Sequence, residues 1–173
     1  YIPYQGQFQI IDQAVNVNAI EGGYTIDDDS EGSSIGNSNG IVNGGETIEL
    51  NIPLYNYGTD EAEGVYCKLT SDGALVTFLT DSLYIGSLLS GMTANTDQSF
   101  VFEVQAGIME NDNLGLRLFV EDVNGTAWWS KIEVFSSGSL LEANAVIVRD
   151  HPVYGNDILD PGETAELEIQ LLN

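Results

Sequence analysis

Oxygen-bearing side chains are concentrated in a glycine-rich loop between residues 27 and 46, and these are the residue types that could do chemistry. Ca²⁺ takes about six to eight oxygen ligands from carboxylates, amides, backbone carbonyls and water. Glycine lets the backbone bend so that its carbonyls can point inward, whereas zinc would call for Cys or His. The loop therefore predicts a calcium site. Its candidate ligands are Asp27, Asp28, Asp29, Asn37, Asn39, Asn43 and Glu46.

A shorter loop of the same kind lies near the end of the chain. Its candidate calcium ligands are Asp150, Asn156, Asp157, Asp160 and Glu163. The ligand spacing is not that of an EF-hand in either loop. Two alternatives stay open for both loops. The acidic and amide residues could be solvated turn residues, which favour Asp and Asn, or each terminal glutamate could simply accept hydrogen bonds from loop amides.

Both loops belong to a phrase that the chain contains twice. Glu163 follows Glu46 by 117 residues, and a Gly-Glu-Thr triplet with an alternating apolar pattern after it coincides at that offset. A repeat of domain length implies a tandem array. We therefore expect residues 1–13 to be the last strand of a preceding unit, residues 14–139 to be a complete unit, and residues 140–173 to begin a following one.

Apolar residues alternate with polar ones along most of the chain, which is typical of half-buried strands. The runs are separated by turns rich in Gly, Asn, Asp and Ser, and the sequence 122–125, Asp-Val-Asn-Gly, predicts a hairpin. Pro53 lies inside one run and indicates an edge or a bulge there. The pattern predicts an all-β fold, an antiparallel Ig-like β-sandwich of about seven to eight strands.

The charge balance is extreme, with 27 acidic residues against four basic ones and a formal net charge of −23. Nucleic acids and anionic membrane surfaces are therefore poor partners. The sequence has no apolar run of about 18 residues, so no membrane insertion is predicted. The single cysteine, Cys67, alternates with Val65 and Leu69, and this position predicts an inert core thiol.

Two adjacent tryptophans, Trp128 and Trp129, invite a carbohydrate-binding interpretation. Neighbouring side chains on a strand point to opposite faces, so we expect one indole in the core and the other on the surface, where it could stack on a sugar or on another domain. Two short glycosylation signals are also present. Asn124 begins an Asn-Gly-Thr acceptor triplet, and Ser82 lies in an Asp-Ser-Leu triplet similar to the O-glycosylation signal of secreted Bacteroidetes proteins.

The repeated phrase resembles a known kind of domain. The sequences 160–164, Asp-Pro-Gly-Glu-Thr, and 43–47, Asn-Gly-Gly-Glu-Thr, with Asn-Tyr-Gly at 56–58 after the first copy, resemble the Ig-like repeats of large secreted bacterial proteins. Those repeats are similar to CARDB-type adhesion domains and often follow the catalytic domain in gingipain-like peptidases and related surface proteins of Bacteroidetes and Cloacimonadetes. The first copy departs from the pattern, with Gly44 in place of the proline and a longer loop.

The resemblance implies a non-enzymatic, secreted structural or adhesion module at the cell surface, and the ligand chemistry of the loops predicts that Ca²⁺ rigidifies it. Its partners would be neighbouring Ig-like repeats of the same or another chain, and a surface glycan or protein. Two alternatives remain. One is a carbohydrate-binding accessory module that uses an exposed tryptophan. The other is a subunit of an extracellular filament joined by strand pairing between chains.

Overall fold

The computed structural model describes residues 14–20, 23–94, 98–138, 142–149, 158, 161–162 and 164–172. Contacts divide the chain into two compact units, with the boundary after Gly138, and each unit is described by itself below. Residues 1–13, assigned by sequence to a preceding unit, lie outside the described residues. The assignment of the chain to three repeat units therefore stays a prediction.

The described part of the first unit contains thirteen strands. They are β1 (Val17–Ala19), β2 (Thr25–Asp27), β3 (Val42–Asn43), β4 (Thr47–Asn51), β5 (Leu54–Asn56), β6 (Ala62–Ser71), β7 (Val76–Thr80), β8 (Ser82–Leu88), β9 (Thr93–Ala94), β10 (Phe100–Val104), β11 (Leu116–Glu121), β12 (Ala127–Ile132) and β13 (Ser136–Ser137). None of the described residues forms a helix, so no helix among them is long and apolar enough to cross a membrane.

Two four-stranded antiparallel sheets make up most of the first unit. One has the order β2-β4-β10-β7 and the other the order β12-β11-β6-β8. Two small sheets, β1-β5-β9 and the parallel pair β13-β3, complete it. The all-β sandwich class predicted from alternation is confirmed. The strands are more numerous than predicted, partly because long runs are interrupted, as where Ile52 and Pro53 separate β4 from β5.

A single hydrophobic core is formed by the inward residues of both large sheets. Strand β6 shows the alternation clearly, since Val65, Cys67 and Leu69 are buried while Tyr66 and Lys68 between them are exposed. The prediction that Cys67 is a core thiol is confirmed. Burial raises the pKa of the Cys67 thiol to about 12, so this sulfur stays protonated at neutral pH and is a poor nucleophile.

One stretch of chain passes from the first large sheet to the second at Asp81. Strand β7 pairs with β10 before this residue, and β8 pairs with β6 after it. The Asp81 carbonyl accepts a hydrogen bond from the Leu69 amide at 2.7 Å, and its carboxylate forms an ion pair with Lys68 at 3.1 Å. Such strand switches make the corners of a sandwich, and this one fixes β8 as an edge of the second sheet.

The described part of the second unit is an antiparallel pair of strands, β14 (Glu142–Arg149) and β15 (Glu166–Leu172). Arg149 on β14 forms an exposed ion pair with Glu168 on β15 at 2.6 Å. The pairing register places Arg149 opposite Glu166 and Val146 opposite Ile169.

Candidate functional site

The loop between β2 and β4 is organised around the carboxylate of Asp28. This side chain is only 3% exposed. Its Oδ2 accepts a hydrogen bond from the Asn39 amide and its Oδ1 one from the Gly40 amide, both at 3.0 Å, while its carbonyl accepts one from the Ser38 amide at 3.2 Å. A buried carboxylate is costly unless it is hydrogen-bonded. These hydrogen bonds hold residues 38–40 against Asp28, which directly follows β2, and so they close the loop.

The two neighbouring aspartates, Asp27 and Asp29, do different work. Their Oδ1 atoms lie 3.3 Å and 3.0 Å from the buried hydroxyl of Ser34. The Glu31 carbonyl is a third acceptor at 3.0 Å, and the single hydroxyl proton can serve one acceptor at a time. Asp29 Oδ1 also accepts a hydrogen bond from the Glu31 amide at 2.7 Å. The carboxylates of Asp27 and Asp29 therefore stabilise the turn that contains Ser34 by accepting hydrogen bonds.

The three asparagines that were predicted as ligands bond to one another. Asn43 Oδ1 accepts hydrogen bonds from the side-chain amides of Asn37 at 3.0 Å and Asn39 at 3.1 Å. The Asn43 side-chain amide in turn donates to the carbonyl of Ser137 at 3.1 Å. The asparagine cluster therefore ties the loop to the last strand of the first unit.

Glu46 accepts a hydrogen bond from the loop backbone, as one of the two alternatives to calcium required. Its Oε2 lies 2.8 Å from the amide nitrogen of Asn43, and the residue is 7% exposed. Burial raises the pKa of the Glu46 carboxyl above its ordinary value; the hydrogen bond from Asn43 opposes this rise and the charge of Asp28 adds to it. Glu46 therefore stabilises the loop backbone through the hydrogen bond from Asn43, independently of any metal.

Gly36 makes the close packing of the loop possible. A Cβ at this position would lie 2.3 Å from the carbonyl oxygen of Asp28, and the Gly36 amide donates to the Asp29 carbonyl at 3.0 Å. The sequence indicated the loop glycines only as positions where the backbone can bend, and neither Gly36 nor Ser34 was predicted as a site residue. The dense Gly and Ser content was the one signal, and it could not say which residue meets Asp28.

The loop joins a clamp around the last strand of the first unit. Strand β3 pairs with β13 in parallel, with Val42 opposite Ser136. On the other side of β13, Glu110 Oε2 accepts hydrogen bonds from the Ser137 hydroxyl and the Gly138 amide, both at 2.9 Å. We call β3, Asn43 and Glu110, together with the segment 136–138 that they hold, the exit clamp. It fixes the chain where the first unit ends.

The fit to calcium is incomplete in this geometry. Among the described residues, no group of three or more His, Cys, Asp or Glu side chains is placed to hold a metal ion. The seven predicted ligands of the first loop lie in one loop but face different partners: backbone amides for Asp28 and Glu46, one another for the asparagines, and Ser34 for the remaining two aspartates. Asp27 and Asp29 are two carboxylates of the loop that share the Ser34 hydroxyl as a neighbour. Calcium stays a prediction of the sequence.

The ligands predicted in the second loop lie outside the described residues. They are Asp150, Asn156, Asp157, Asp160 and Glu163.

The tryptophan pair divides between core and surface as alternation predicted. Trp128 is 8% exposed and Trp129 is 63% exposed, so only Trp129 offers a ring to a ligand. The Phe119 ring packs beside it, with the two centroids 4.8 Å apart.

The two predicted glycosylation residues lie at the surface of the first unit to different degrees. Asn124 is exposed in the β11–β12 hairpin turn, where Asp122 Oδ1 accepts hydrogen bonds from the amides of Asn124 and Thr126. Ser82 is half-buried, and its hydroxyl donates to Asp81 Oδ1 at 2.6 Å. Modification at either residue stays a prediction.

Neither a protein-family model nor a curated protein sequence matches this chain. The resemblance to bacterial Ig-like repeats accordingly stays a prediction from the repeated phrase.

Replacing Gly36 tests the packing of the loop. Gly36→Ala is expected to lower the free energy of unfolding by about 1–3 kcal/mol, because the new Cβ would collide with the Asp28 carbonyl and the backbone would have to shift. Gly107→Ala is the matched control, since no heavy atom lies within 4 Å of its added Cβ. Urea denaturation measures both. Equal losses in the two variants would contradict this account of the loop.

The buried carboxyl of Glu46 makes a pH-dependent contribution to stability. Because its pKa is raised in the folded state, its contribution to stability is complete at pH values below the ordinary pKa and is lost as the pH rises through the folded-state pKa. Glu46→Gln removes this ionisation but keeps an oxygen that can accept the Asn43 hydrogen bond. We expect the variant to gain stability relative to the wild type as the pH rises from about 4 to about 7.

Glu46→Ala separates the charge of this residue from its hydrogen bond. This variant leaves the partly buried Asn43 amide without its acceptor, so it should be less stable than Glu46→Gln by about 1 kcal/mol across the same pH range. Denaturant titrations at several pH values measure both effects. If the difference in the free energy of unfolding between wild type and Glu46→Gln does not change with pH, the pKa of Glu46 is not raised in the folded state.

Proposed function

We propose that this chain is a non-enzymatic structural module of an extracellular tandem array, one that spaces or displays the units on either side of it. The exit clamp is the observation that carries the proposal. A spacer has to hold its chain ends in place when they are pulled, and in this unit side-chain hydrogen bonds from Asn43 and Glu110 hold the segment at its end.

The clamp is arranged to resist a pull along the chain. Strand β13 lies parallel to β3, so a force along β13 loads the hydrogen bonds between the two strands together rather than one at a time. Glu110 holds the far side of the same segment through two hydrogen bonds, and Asn43 adds a third from the loop. This geometry suits a load-bearing connection.

The acidic groups of the loop support a structural role in preference to a catalytic one. Both oxygens of Asp28 and one oxygen of Glu46 accept backbone hydrogen bonds that close the loop. The carboxylates of Asp28 and Glu46 therefore hold the loop backbone. The buried Cys67 thiol is also unsuited to catalysis, because burial raises its pKa to about 12, far above the pKa of a reactive thiolate.

Single-molecule force spectroscopy on the whole chain tests the spacer function. We expect the first unit to unfold in one cooperative step, and Glu110→Ala and Asn43→Ala each to lower the force of that step, because each removes hydrogen bonds from segment 136–138. Glu61→Ala is the control, since Glu61 is exposed and lies outside the clamp. If segment 136–138 detaches at low force before the rest of the unit opens, the chain is not a load-bearing spacer.

Stiffening of the loop by Ca²⁺ is a separable part of the proposal. A ligand that binds only the folded state at a hundredfold excess over its Kd stabilises it by about 2.7 kcal/mol, so Ca²⁺ should raise the Tm of chelator-treated protein. Asp29→Asn should reduce the rise, and Asp60→Asn, an exposed change outside the loop, should not. An unchanged Tm on adding Ca²⁺ or a chelator would exclude the metal and leave the exit clamp standing.

A further inference from the structure

Three of the four basic residues of this chain lie on one surface. Of its four Lys and Arg residues, three lie on the sheet β12-β11-β6-β8: Lys68, Arg117 and Lys131. All three alternate with buried core residues on their strands, so they share the outward face of that sheet. The chain has a net charge of −23, so this face offers an anionic ligand three of the few positive charges in the protein.

Two of these cations and two aromatic rings form a compact block. Arg117 on β11 lies directly opposite Lys131 on β12, and Phe119 lies directly opposite Trp129. Cross-strand neighbours of this kind have their side chains in contact range. Trp129 is 63% exposed and lies two residues from Lys131 on the same face, so a flat apolar surface adjoins two positive charges.

A shallow cavity of about 240 Å³ opens between these side chains. Arg117, Trp129, Lys131 and Asp72 are among the residues that line it. The volume suits one sugar-sized ring rather than a long apolar ligand.

The cations of the block are held by exposed ion pairs that a ligand can replace. Arg117 lies 2.7 Å from Asp72, and Lys131 lies 2.6 Å from Glu133. The side chains of all four residues are more than half exposed, at 57% to 65%. Exposed pairs of this kind contribute little to stability because water screens the two charges, so a carboxylate ligand can exchange with the protein's own carboxylates.

We propose that the block binds an acidic saccharide, with a hexuronate ring stacked on Trp129 and its carboxylate paired with Arg117 and Lys131. The planar guanidinium of Arg matches a carboxylate in a two-point contact, and an indole offers a flat amphipathic surface. A carboxylate side chain of a partner protein would use the cations but leave the exposed indole uncovered, so the saccharide fits more of the block. This site is independent of the exit clamp and of calcium.

Isothermal titration calorimetry of the whole chain with a trimer of galacturonic acid tests the proposal. We expect saturable binding that Arg117→Gln, Lys131→Gln and Trp129→Ala each weaken by about tenfold or more, as the loss of one strong contact implies. Lys68→Gln is the matched control, because Lys68 carries the same charge on the same face but does not line the cavity. A neutral galactose trimer should bind at least tenfold more weakly than the acidic one.

Several results would overturn the assignment. They are the absence of saturable binding, equal binding of the neutral trimer, and an equal loss in Lys68→Gln and Arg117→Gln, which would indicate unspecific charge attraction. A glutamate-rich peptide that binds as tightly as the saccharide, and that is insensitive to Trp129→Ala, would assign the block to a protein partner instead. The urea denaturation midpoint of each variant shows whether it is folded. If Trp129→Ala does not fold, the loss of saccharide binding in Lys131→Gln is the test of the proposal.

Discussion

The buried carboxylate of Asp28 is the constraint on which the architecture of the first unit's exit depends. Removed from water, it has to find hydrogen-bond donors, and the amides of Asn39 and Gly40 are the donors that it finds. Meeting that requirement folds the long loop back on itself. The fold-back brings residues 42 and 43 to the last strand of the unit, where they pair with residues 136 and 137. The burial of one carboxylate is thus linked to a long-range connection between this loop and the end of the unit.

The same loop carries an opposing electrostatic cost. Glu46 is buried close enough to Asp28 for the two charges to repel, and its raised pKa reflects the burial and this repulsion together. The loop tolerates the cost because Glu46 satisfies the Asn43 amide. A donor that loses its acceptor on folding keeps the cost of its removal from water. No buried side-chain nitrogen or oxygen among the described residues lacks a hydrogen-bond partner.

Local patterns predicted what depends on neighbours in the sequence. Alternation placed Val65, Cys67 and Leu69 inside and put Trp128 and Trp129 on opposite faces, because the two-residue period of a strand is a local property. The division of labour among the three consecutive aspartates was not predictable, since only the returning chain decides which one is buried. The grouping of three cations on one face was missed for the same reason. It depends on which strands are neighbours, and that is set by the whole topology.

The difference between the two copies of the repeated phrase has a steric explanation in the first copy. The second copy has Pro161 where the first has Gly44. A Cβ on Gly44 would lie 2.8 Å from the carbonyl oxygen of Ala106, and the neighbouring Gly45 amide donates to the Val104 carbonyl at 3.0 Å. The chain that follows β10 therefore leaves no room for a side chain at this point. The glycine is required by packing against that segment, so its departure from the repeat is accounted for without any difference in metal chemistry between the two loops.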